Sequence, residues 1–226
     1  MFYPNKIKNI HEKDRVLEIG PGNTPFHRSD VLLELEYASD EDRIKQFGHD
    51  QVLQTSKQIV FYNGTKFPFE DNSFDYVICS HVLEHVDDVE LFLKEIFRVA
   101  KRGYFEYPLL PYDYLYNIGA HLNFLKFDGH KMYLMKKSKV DLNYYRPVQD
   151  FFLSTLKIGC GDFLSKLDYC FFEGFEWETP FEIKHSYDLN DFIETNIEPK
   201  LGGDIPHPSI MTSIKILLVA IKNKIF

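Results

Sequence analysis

The chain has 226 residues, 44% of them hydrophobic, and a formal net charge of −8. This length and composition predict one globular domain with elaborations. The negative charge argues against a broad nucleic-acid surface, because such surfaces neutralise phosphates with Lys and Arg. The three cysteines, Cys79, Cys160 and Cys170, are too scattered for a zinc or disulfide framework and indicate a reducing, cytoplasmic setting.

The first buried strand is predicted at Val16–Ile19, and Gly20-Pro21-Gly22 follow it as a tight turn. Glycines permit a sharp bend and the close approach of a ligand, while Pro21 stiffens the turn. A strand that ends in such a turn is typical of the cradle for a nucleotide-like ligand in an open α/β sheet. Asn23–Asp30, which contains Pro25, is predicted to be a loop or a single helical turn.

A second strand is predicted at Val31–Glu36, and two carboxylates, Glu34 and Glu36, stand near its end. A carboxylate at this place can accept both hydroxyls of a ribose. Strand alternation puts the two on the same face, so the sequence leaves both open. A helix from Ser39 to about Lys57 follows.

The third strand is predicted at Gln58–Tyr62, before the turn Asn63-Gly64. The fourth is predicted at Phe74–Cys79. An amphipathic helix is expected at Val89–Lys101, capped by Asp87 or Asp88. Tyr104–Tyr107 is predicted as the fifth strand.

Two blocks of this region resemble a known family. Residues 16–22, VLEIGPG, are similar to the first motif of class I S-adenosylmethionine-dependent methyltransferases. Residues 67–86, FPFEDNSFDYVICSHVLEHV, are similar to the methyltransferase type 11 branch. The resemblance covers roughly residues 14–108 and implies S-adenosylmethionine as the cofactor.

The resemblance also implies a role for each residue near the strand ends. The methionine part would lie in the cradle of the first strand and turn, formed by Glu18, Gly20, Pro21, Gly22 and Asn23. Glu34 would hold the ribose, with Glu36 as runner-up, and Asn63-Gly64 the adenine. Asn63 could equally serve only its own turn. Ser80 and His81 would close the pocket.

Two other sequence motifs are compatible with different functions. A nicotinamide site requires G-x-G-x-x-G, but Pro25 occupies the third position, which argues against a dehydrogenase. His81-Val-Leu-Glu-His85 matches the zinc pattern H-x-x-E-H. That pattern needs a longer helix and a distant third ligand, so we interpret the match as accidental and expect no metal.

Methyl transfer to a hydroxyl or amine requires a group that removes a proton. A histidine suits this role because its pKa lies near neutrality. The candidates are His81, His85 and His121, and we favour His121 because it follows the fifth strand on the expected substrate side. A structural role is the alternative for each of them.

Residues 108–146 are expected to form an inserted substrate-side hairpin or lid. Leu122–Phe127 and Lys131–Met135 flank Asp128-Gly129 and predict the hairpin. The tyrosines of this region could stack on an acceptor or pack on their own core. Its basic residues could hold a phosphorylated acceptor or form a solvated face; they are Lys131, Lys136, Lys137, Lys139 and Arg146.

Residues 147–226 are expected to complete the sheet and add a terminal element. Phe171–Trp177 and Phe181–His185 are predicted as two antiparallel strands of that sheet. The other predicted elements are helices at Gln149–Leu156, Asp162–Leu167 and Asp188–Asn196, a loop at Leu201–Pro208 and a helix or edge strand at 209–224. The apolar segment 213–226 could touch an anionic membrane surface, pack on the sheet or form a homodimer contact.

The sequence therefore predicts a single α/β methyltransferase domain with a Rossmann-like, seven-stranded, mostly parallel sheet and helices on both faces. We expect O-methylation of a small or carrier-linked acceptor, such as a glycan precursor. The alternatives are a non-catalytic protein that binds S-adenosylmethionine or its product, and a Rossmann oxidoreductase.

Overall fold

The computed structural model describes residues 1–37, 53–157 and 168–193, together with positions 39, 41, 210, 211, 214 and 218. Several predicted elements lie outside these residues. They are most of the helix from Ser39 to Lys57, the helix Asp162–Leu167, the end of Asp188–Asn196, the loop Leu201–Pro208 and most of 209–226.

The predicted strands of residues 14–136 and the helices predicted at 89–101 and 149–156 are present within a few residues of their expected bounds, whereas residues 53–57, the described end of the helix predicted from Ser39 to Lys57, are not helical. In chain order the strands are β1 (Val16–Ile19), β2 (Val31–Leu35), β3 (Gln58–Tyr62), β4 (Tyr76–Ser80), β5 (Gly103–Pro108), β6 (Asn123–Phe127), β7 (Lys131–Lys136), β8 (Phe172–Trp177) and β9 (Glu182–His185). The α-helices are α1 (Val89–Val99), α2 (Leu110–Tyr116), α3 (Arg146–Lys157) and α4 (Asp168–Phe171). A short 3₁₀ turn, Leu83–His85, follows β4.

The main sheet has six strands in the order β3-β2-β1-β4-β5-β8. The first five are parallel to their neighbours, and β8 runs antiparallel to β5, with Phe105 opposite Phe175. The predicted Rossmann-like, mostly parallel α/β architecture is confirmed. The described residues supply six strands to this sheet, one fewer than expected.

A second sheet of three strands, β6-β7-β9, contains the predicted hairpin. β6 and β7 are antiparallel, with Leu125 opposite Leu134, and β9 lies parallel to β7. The prediction that residues 181–185 complete the main sheet is therefore wrong. The short β9 follows the turn after β8 and pairs with the open edge of the hairpin instead.

The two faces of the main sheet are covered differently. On one face Leu17 and Ile19 of β1 belong to the large core with α1. On the opposite face Val16 and Tyr76 pack with Ile7, Ile10 and Phe26, so residues of the N-terminal segment cover it. The alternation of buried side chains along parallel strands requires such a cover on both faces.

Helix α1 shows why the local sequence folds as predicted. The side chain of Asp88 accepts a hydrogen bond from Leu91 N at 2.9 Å and caps the helix. One stripe of apolar side chains is buried, including Phe92 and Ile96. None of the helices in the described part of the chain is long and apolar enough to span a membrane.

Arg98 and Glu95 of α1 hold the start of the second sequence block, residues 67–71, to the helix. Arg98 binds the carboxylate of Glu95 at 2.6 Å and donates to the carbonyl oxygens of Phe67 and Phe69. Glu95 in turn accepts from Phe67 N at 2.9 Å. Hydrogen bonding to Arg98, opposed by burial, lowers the pKa of Glu95. These bonds fix the loop that leads from β3 into β4.

Candidate functional site

A cleft of about 260 Å³ opens at the carboxyl ends of β1, β2 and β4. This edge is where ligands bind in open α/β sheets. Apolar side chains form most of its wall and a few polar groups face into it. The lining residues are Ile19, Gly20, Leu33, Glu34, Leu35, Tyr37, Tyr62, Gly64, His81, Val82, His85, Val86, Asp87 and Phe92.

The glycine turn is present, and both glycines adopt the left-handed backbone conformation that glycine tolerates. Gly20 and Gly22 have φ angles of +60° and +58°, and Pro21 between them is buried. A Cβ on Gly20 would lie 2.6 Å from Cγ2 of Val82, whereas a Cβ on Gly22 would meet nothing within 4 Å. Gly20 therefore lines the cleft where no side chain fits. Asn23 is half-buried and is not among the cleft-lining residues.

The two carboxylates near the end of β2 are separated by the structure. Glu34 is half-buried and lines the cleft, and Leu35 N donates to its Oε1 at 3.0 Å. Glu36 lies just beyond the strand and is exposed. Between the two, Glu34 is the carboxylate that a ligand in the cleft would meet.

Asn63 and Gly64 take different parts in the turn after β3. The Oδ1 of Asn63 accepts from Thr65 N at 3.2 Å and from Thr65 Oγ1 at 2.6 Å, as in an Asx turn. Asn63 is exposed, while Gly64 lines the cleft. This arrangement favours the turn-forming role for the Asn63 side chain.

Glu18 is buried but does not line the cleft. Its Oε2 accepts from Ser29 Oγ at 2.6 Å and from Phe26 N at 2.8 Å. Burial raises the pKa of Glu18, although these two hydrogen bonds oppose the rise. Glu18 thus anchors the loop that follows the glycine turn.

His81 sits at the end of β4 in a left-handed backbone conformation, with φ of +58°. Its Nδ1 lies 3.2 Å from Glu84 Oε1 and its Nε2 lies 3.1 Å from Glu106 Oε1. Burial lowers the pKa of His81, but the hydrogen bonds with Glu106 and Glu84 outweigh it and raise the pKa overall. Ser80 Oγ also donates to Glu106, at 3.0 Å, and does not face the cleft.

Glu106 is the centre of a buried network that the sequence analysis missed. It is 1% exposed and accepts from Tyr104 Oη at 2.7 Å and from the backbone N–H groups of Phe2 and Tyr3 at 2.6 and 2.9 Å. Burial raises the pKa of Glu106, but the hydrogen bonds from His81 and Tyr104 lower it to about 2. The only sequence signal was an acid inside an otherwise apolar strand.

His85 and His121 meet beyond the 3₁₀ turn, with ring centroids 4.9 Å apart. His85 Nδ1 lies 3.0 Å from Ala120 O, and His121 Nδ1 lies 2.8 Å from Asp113 Oδ2. Burial lowers the pKa of His85. The structure therefore brings together two of the three predicted histidines. His81 is joined to His85 through Glu84, whose Oε1 lies 3.2 Å from His81 Nδ1 and 3.8 Å from His85 Nε2.

Glu84 stands beside both rings and is fully buried. The ligand atoms of Glu84, His85 and His121 all lie within 4.8 Å of one another. Although burial raises the pKa of Glu84, the hydrogen bond with His81 and the charges of the three histidines lower it overall.

A second cleft of about 460 Å³ adjoins the first and shares Asp87 with it. His85 lines the first cleft and His121 the second, so the histidine pair stands between them. The lining of the second cleft is mixed, with polar and apolar groups in similar amounts. Its lining residues are Asp87, Asn117, Gly119, His121, Leu122, Lys136, Lys137, Ser138, Val140, Leu142, Asn143 and Arg146.

Most of the predicted basic cluster is paired with acids. Lys137 Nζ binds Asp113 Oδ1 at 2.7 Å and Ile118 O at 2.6 Å, and Arg146 Nε binds Asp150 Oδ1 at 2.8 Å. Lys136 contacts Asp87 and Lys131 contacts Asp128 in the same way. This pairing weakens the case for a phosphate-binding patch.

Comparison with known proteins agrees with this geometry. Residues 34–105 match the family model of the type 11 branch, described as "Methyltransferase domain". The predicted resemblance to type 11 methyltransferases is thus confirmed. The matched segment runs from the end of β2 into the start of β5 and includes Glu34, Gly64, His81, Glu84 and His85.

Curated relatives match over part of their length. A demethylmenaquinone methyltransferase of Anoxybacillus flavithermus is 40% identical over 63 residues, which are 28% of this chain and 24% of that protein. The putative methyltransferase YrhH of Bacillus subtilis is 30% identical over 100 residues, 41% of this chain and 55% of that protein. The match thus spans about a quarter of the first relative and about half of the second.

Among solved structures, YcgJ of Bacillus subtilis is similar, with a TM-score of 0.36 and 18% identity over 50% of this chain and 56% of that chain.

Proposed function

We propose that this protein transfers a methyl group from S-adenosylmethionine to an oxygen atom of a small or carrier-linked acceptor. The observation that carries the proposal is the single cleft into which the Gly20 turn and the Glu34 carboxylate both open. The match of residues 34–105 to a methyltransferase domain supports it. We expect the enzyme to act in the cytoplasm, as its few scattered cysteines suggest.

The cleft residues fit an adenosyl ligand. Glu34 would accept hydrogen bonds from the ribose hydroxyls, and Leu35 and Phe92 would contact the base as apolar walls. Gly64, with φ of +85°, would let the adenine approach the backbone. The volume of about 260 Å³ is near the lower end of the range for ligand sites, which begins at roughly 300 Å³.

Three of the predicted cofactor residues would act without facing the cleft. Glu18 would position the loop after the glycine turn through Ser29. Ser80 would hold Glu106 and, through it, the His81 ring. Asn63 would shape the turn that presents Gly64. A contact between Asn23 and the methionine part stays a prediction.

The bound cofactor would supply a methyl group already activated by a positively charged sulfur. The protein must align the acceptor and remove its proton. His81 is unsuited to accept that proton, because both of its ring nitrogens are engaged by carboxylates. His85 and His121 each use only Nδ1 in the contacts above, which leaves Nε2 available. We therefore place acceptor activation at the His85–His121 pair.

The second cleft would hold the acceptor. Its polar lining residues include Asn117, Ser138 and Asn143, which suit a hydroxylated molecule such as a glycan precursor. Its cations are largely neutralised by neighbouring acids, which disfavours a highly charged acceptor. The hairpin β6–β7 and the helix α2 would form the acceptor side of the enzyme.

Calorimetry with S-adenosylhomocysteine and with NAD tests the cofactor assignment. We expect stoichiometric binding of the first and none of the second. Glu34→Gln should weaken binding by about 10- to 100-fold, because a charge-assisted hydrogen bond contributes about 1.5–3 kcal/mol. Glu36→Gln is the matched control and should bind normally, since Glu36 is exposed. Binding of NAD alone would contradict the proposal and favour an oxidoreductase.

Turnover with a panel of glycan, phenol and acid acceptors tests the reaction. Demethylmenaquinone belongs in the panel because the name of the Anoxybacillus relative includes it. Product that gains one methyl group on oxygen is the expected result. Binding of S-adenosylhomocysteine without turnover on any acceptor would favour the non-catalytic alternative.

The role of segment 213–226, most of which lies outside the described residues, is a separate proposal. Its apolar residues and three lysines suit contact with an anionic membrane surface or with a second copy of the chain. Co-sedimentation with anionic liposomes, with and without residues 213–226, tests the membrane contact. Light scattering of the same two proteins tests the dimer.

A further inference from the structure

Three potential metal ligands converge between the two clefts. Glu84 and His85 come from the 3₁₀ turn after β4, and His121 comes from the loop before β6. Their ligand atoms lie within 4.8 Å of one another, and Nε2 of His85 is 3.8 Å from Oε1 of Glu84. His121 is thus brought to the two adjacent ligands Glu84 and His85 across 36 residues of sequence, the difference between positions 85 and 121.

Both imidazoles are oriented as metal ligands usually are. The Nδ1 of His121 faces Asp113 Oδ2 at 2.8 Å, and the Nδ1 of His85 faces Ala120 O at 3.0 Å. A carbonyl oxygen can only accept, so His85 Nδ1 carries the proton and donates it. Such second contacts fix the tautomer and leave the Nε2 lone pair for a metal.

The carboxylate of Glu84 has an unused oxygen. Its Oε1 faces His81 Nδ1 at 3.2 Å, but Oε2 is buried without a hydrogen-bond partner. Glu84 is only 1% exposed. A buried carboxylate oxygen without a hydrogen-bond partner lowers the stability of the fold by about 1–3 kcal/mol. A cation bound at Oε2 would remove that penalty.

We propose that Glu84, His85 and His121 bind one divalent transition-metal ion of the Zn²⁺ class. Imidazole nitrogens favour such ions over Mg²⁺ and Ca²⁺, which prefer oxygen ligands. Ligands of a tetrahedral zinc, at roughly 2.0–2.2 Å from the ion, are about 3.5 Å apart. Side-chain rotations that move each atom by about 1 Å bring the set to that spacing.

This site differs from the accidental H-x-x-E-H match in the sequence. That pattern pairs His81 with His85, whereas His81 lies between the carboxylates of Glu84 and Glu106. Here the glutamate of the pattern is itself a ligand, and His121 is the distant third ligand. The expectation that no metal is needed is therefore replaced by this proposal.

The location suggests what the ion would do, and this step rests on the proposed function. Three protein ligands leave at least one coordination position open. His85 lines the first cleft and His121 the second, so an ion bound by both would stand between the proposed cofactor and acceptor clefts. A bound cation lowers the pKa of a coordinated oxygen and would replace a histidine as the group that activates it.

Metal titration of the full chain tests the site without reference to activity. After treatment with a chelator, the wild-type protein should bind one equivalent of Zn²⁺ by calorimetry, and Co²⁺ should give a visible absorption band. Glu84→Gln and His121→Ala should each weaken Zn²⁺ binding by about 100-fold or more, because loss of even an outer contact costs 10- to 100-fold. Mg²⁺ at the same concentration should not bind.

His185→Ala is the matched control. His185 Nε2 also faces a glutamate, Glu90, at 2.7 Å, but on an exposed surface. This variant should bind Zn²⁺ like the wild type. Equal weakening in His185→Ala, or no saturable Zn²⁺ binding by the wild type, would overturn the proposal.

Asp113→Asn covers the case in which a ligand variant fails to fold. It removes the carboxylate behind His121 but leaves the bond from Lys137 to Ile118 O. We expect a 10- to 100-fold loss of Zn²⁺ affinity with an unchanged circular dichroism spectrum. Unchanged affinity would count against His121 as a ligand. Binding of Zn²⁺ but not of S-adenosylhomocysteine would support the metal site and refute the proposed function. Binding of S-adenosylhomocysteine but not of Zn²⁺ would support the proposed function and refute the metal site.

Discussion

Replacement of Gly20 by alanine should separate backbone strain from steric clash at the cleft. Both Gly20 and Gly22 have positive φ angles, so alanine at either position carries the left-handed penalty of about 1–2 kcal/mol. At Gly20 the new Cβ would also lie 2.6 Å from Cγ2 of Val82, where carbon atoms normally keep roughly 3.5–4.0 Å. Overpacking of this kind adds about 1–3 kcal/mol.

We therefore expect Gly20→Ala to lower the free energy of unfolding by about 2–5 kcal/mol and Gly22→Ala by about 1–2 kcal/mol. Urea unfolding followed by circular dichroism measures both. Calorimetry with S-adenosylhomocysteine should show a larger loss of affinity for Gly20→Ala than for Gly22→Ala, because Gly20 lines the cleft and Gly22 does not.

A second substitution tests the cause. Val82→Ala removes Cγ2 of Val82. The Cβ of residue 82 remains, and it lies 3.9 Å from the new Cβ at position 20, which is an ordinary contact. In the Val82→Ala background the effect of Gly20→Ala should fall to about 1–2 kcal/mol, which gives a coupling energy of about 1–3 kcal/mol. If Gly20→Ala and Gly22→Ala are equally destabilising, or if Val82→Ala brings no relief, the clash does not occur.

Three other substitutions test the interactions that hold the site. Glu106→Gln should lower the free energy of unfolding by about 3 kcal/mol near pH 7, because the pKa of Glu106 falls from 4.5 to about 2 on folding. Since the pKa of Glu106 is lower in the folded state, the difference in free energy of unfolding between the variant and the wild type should be full above about pH 4.5 and vanish towards pH 2. Urea unfolding across this pH range measures it, and a difference that does not change with pH would refute the assignment. Arg98→Ala should destabilise by about 2–3 kcal/mol in the same assay, and Asp71→Ala by less than about 1 kcal/mol, because Asp71 is 71% exposed. Equal effects would contradict this ranking. Asp88→Ala should cost about 1 kcal/mol in thermal unfolding through loss of the helix cap, and an unchanged midpoint would count against the cap.

The parts of the fold that sequence predicted correctly depend on local patterns. The apolar run of β1 followed by Gly20 and Gly22 predicts a buried strand and a sharp turn without knowledge of any distant residue. Helix α1 was predicted from the spacing of its apolar side chains and from Asp88. Each feature is set by neighbours within a few positions, which is the range that periodicity reports.

The pairing of β9 is a feature that local sequence patterns do not predict. The sequence predicts a strand at Phe181–His185, but nothing in these residues specifies its partner. The main sheet already had β8 on its edge, and β9 paired with β7 of the hairpin. A strand's pairing depends on which edges remain open, and that is a property of the whole fold.

The site was predicted unevenly for the same reason. Glu34 and Glu36 share a face by alternation, and only the end of β2 at Leu35 separates them. Asn63 matched a binding position, yet its side chain satisfies its own turn, a competition that Asn commonly shows. The contact of Glu106 with residues 2 and 3 spans more than 100 positions and has no local signal.

Buried charge connects the two halves of the site. Glu84 and Glu106 both bind His81, whose single positive charge cannot balance two carboxylates. Glu106 gains further donors from Tyr104 and the N-terminal backbone, so its charge is well compensated. Glu84 gains none at Oε2 within the described residues. Since a buried anion without compensation is strongly unfavourable, the remaining charge must come from His85, from His121 or from a cation between them. A cation bound by Nε2 of both rings and by Oε2 of Glu84 would supply that charge and satisfy all three side chains.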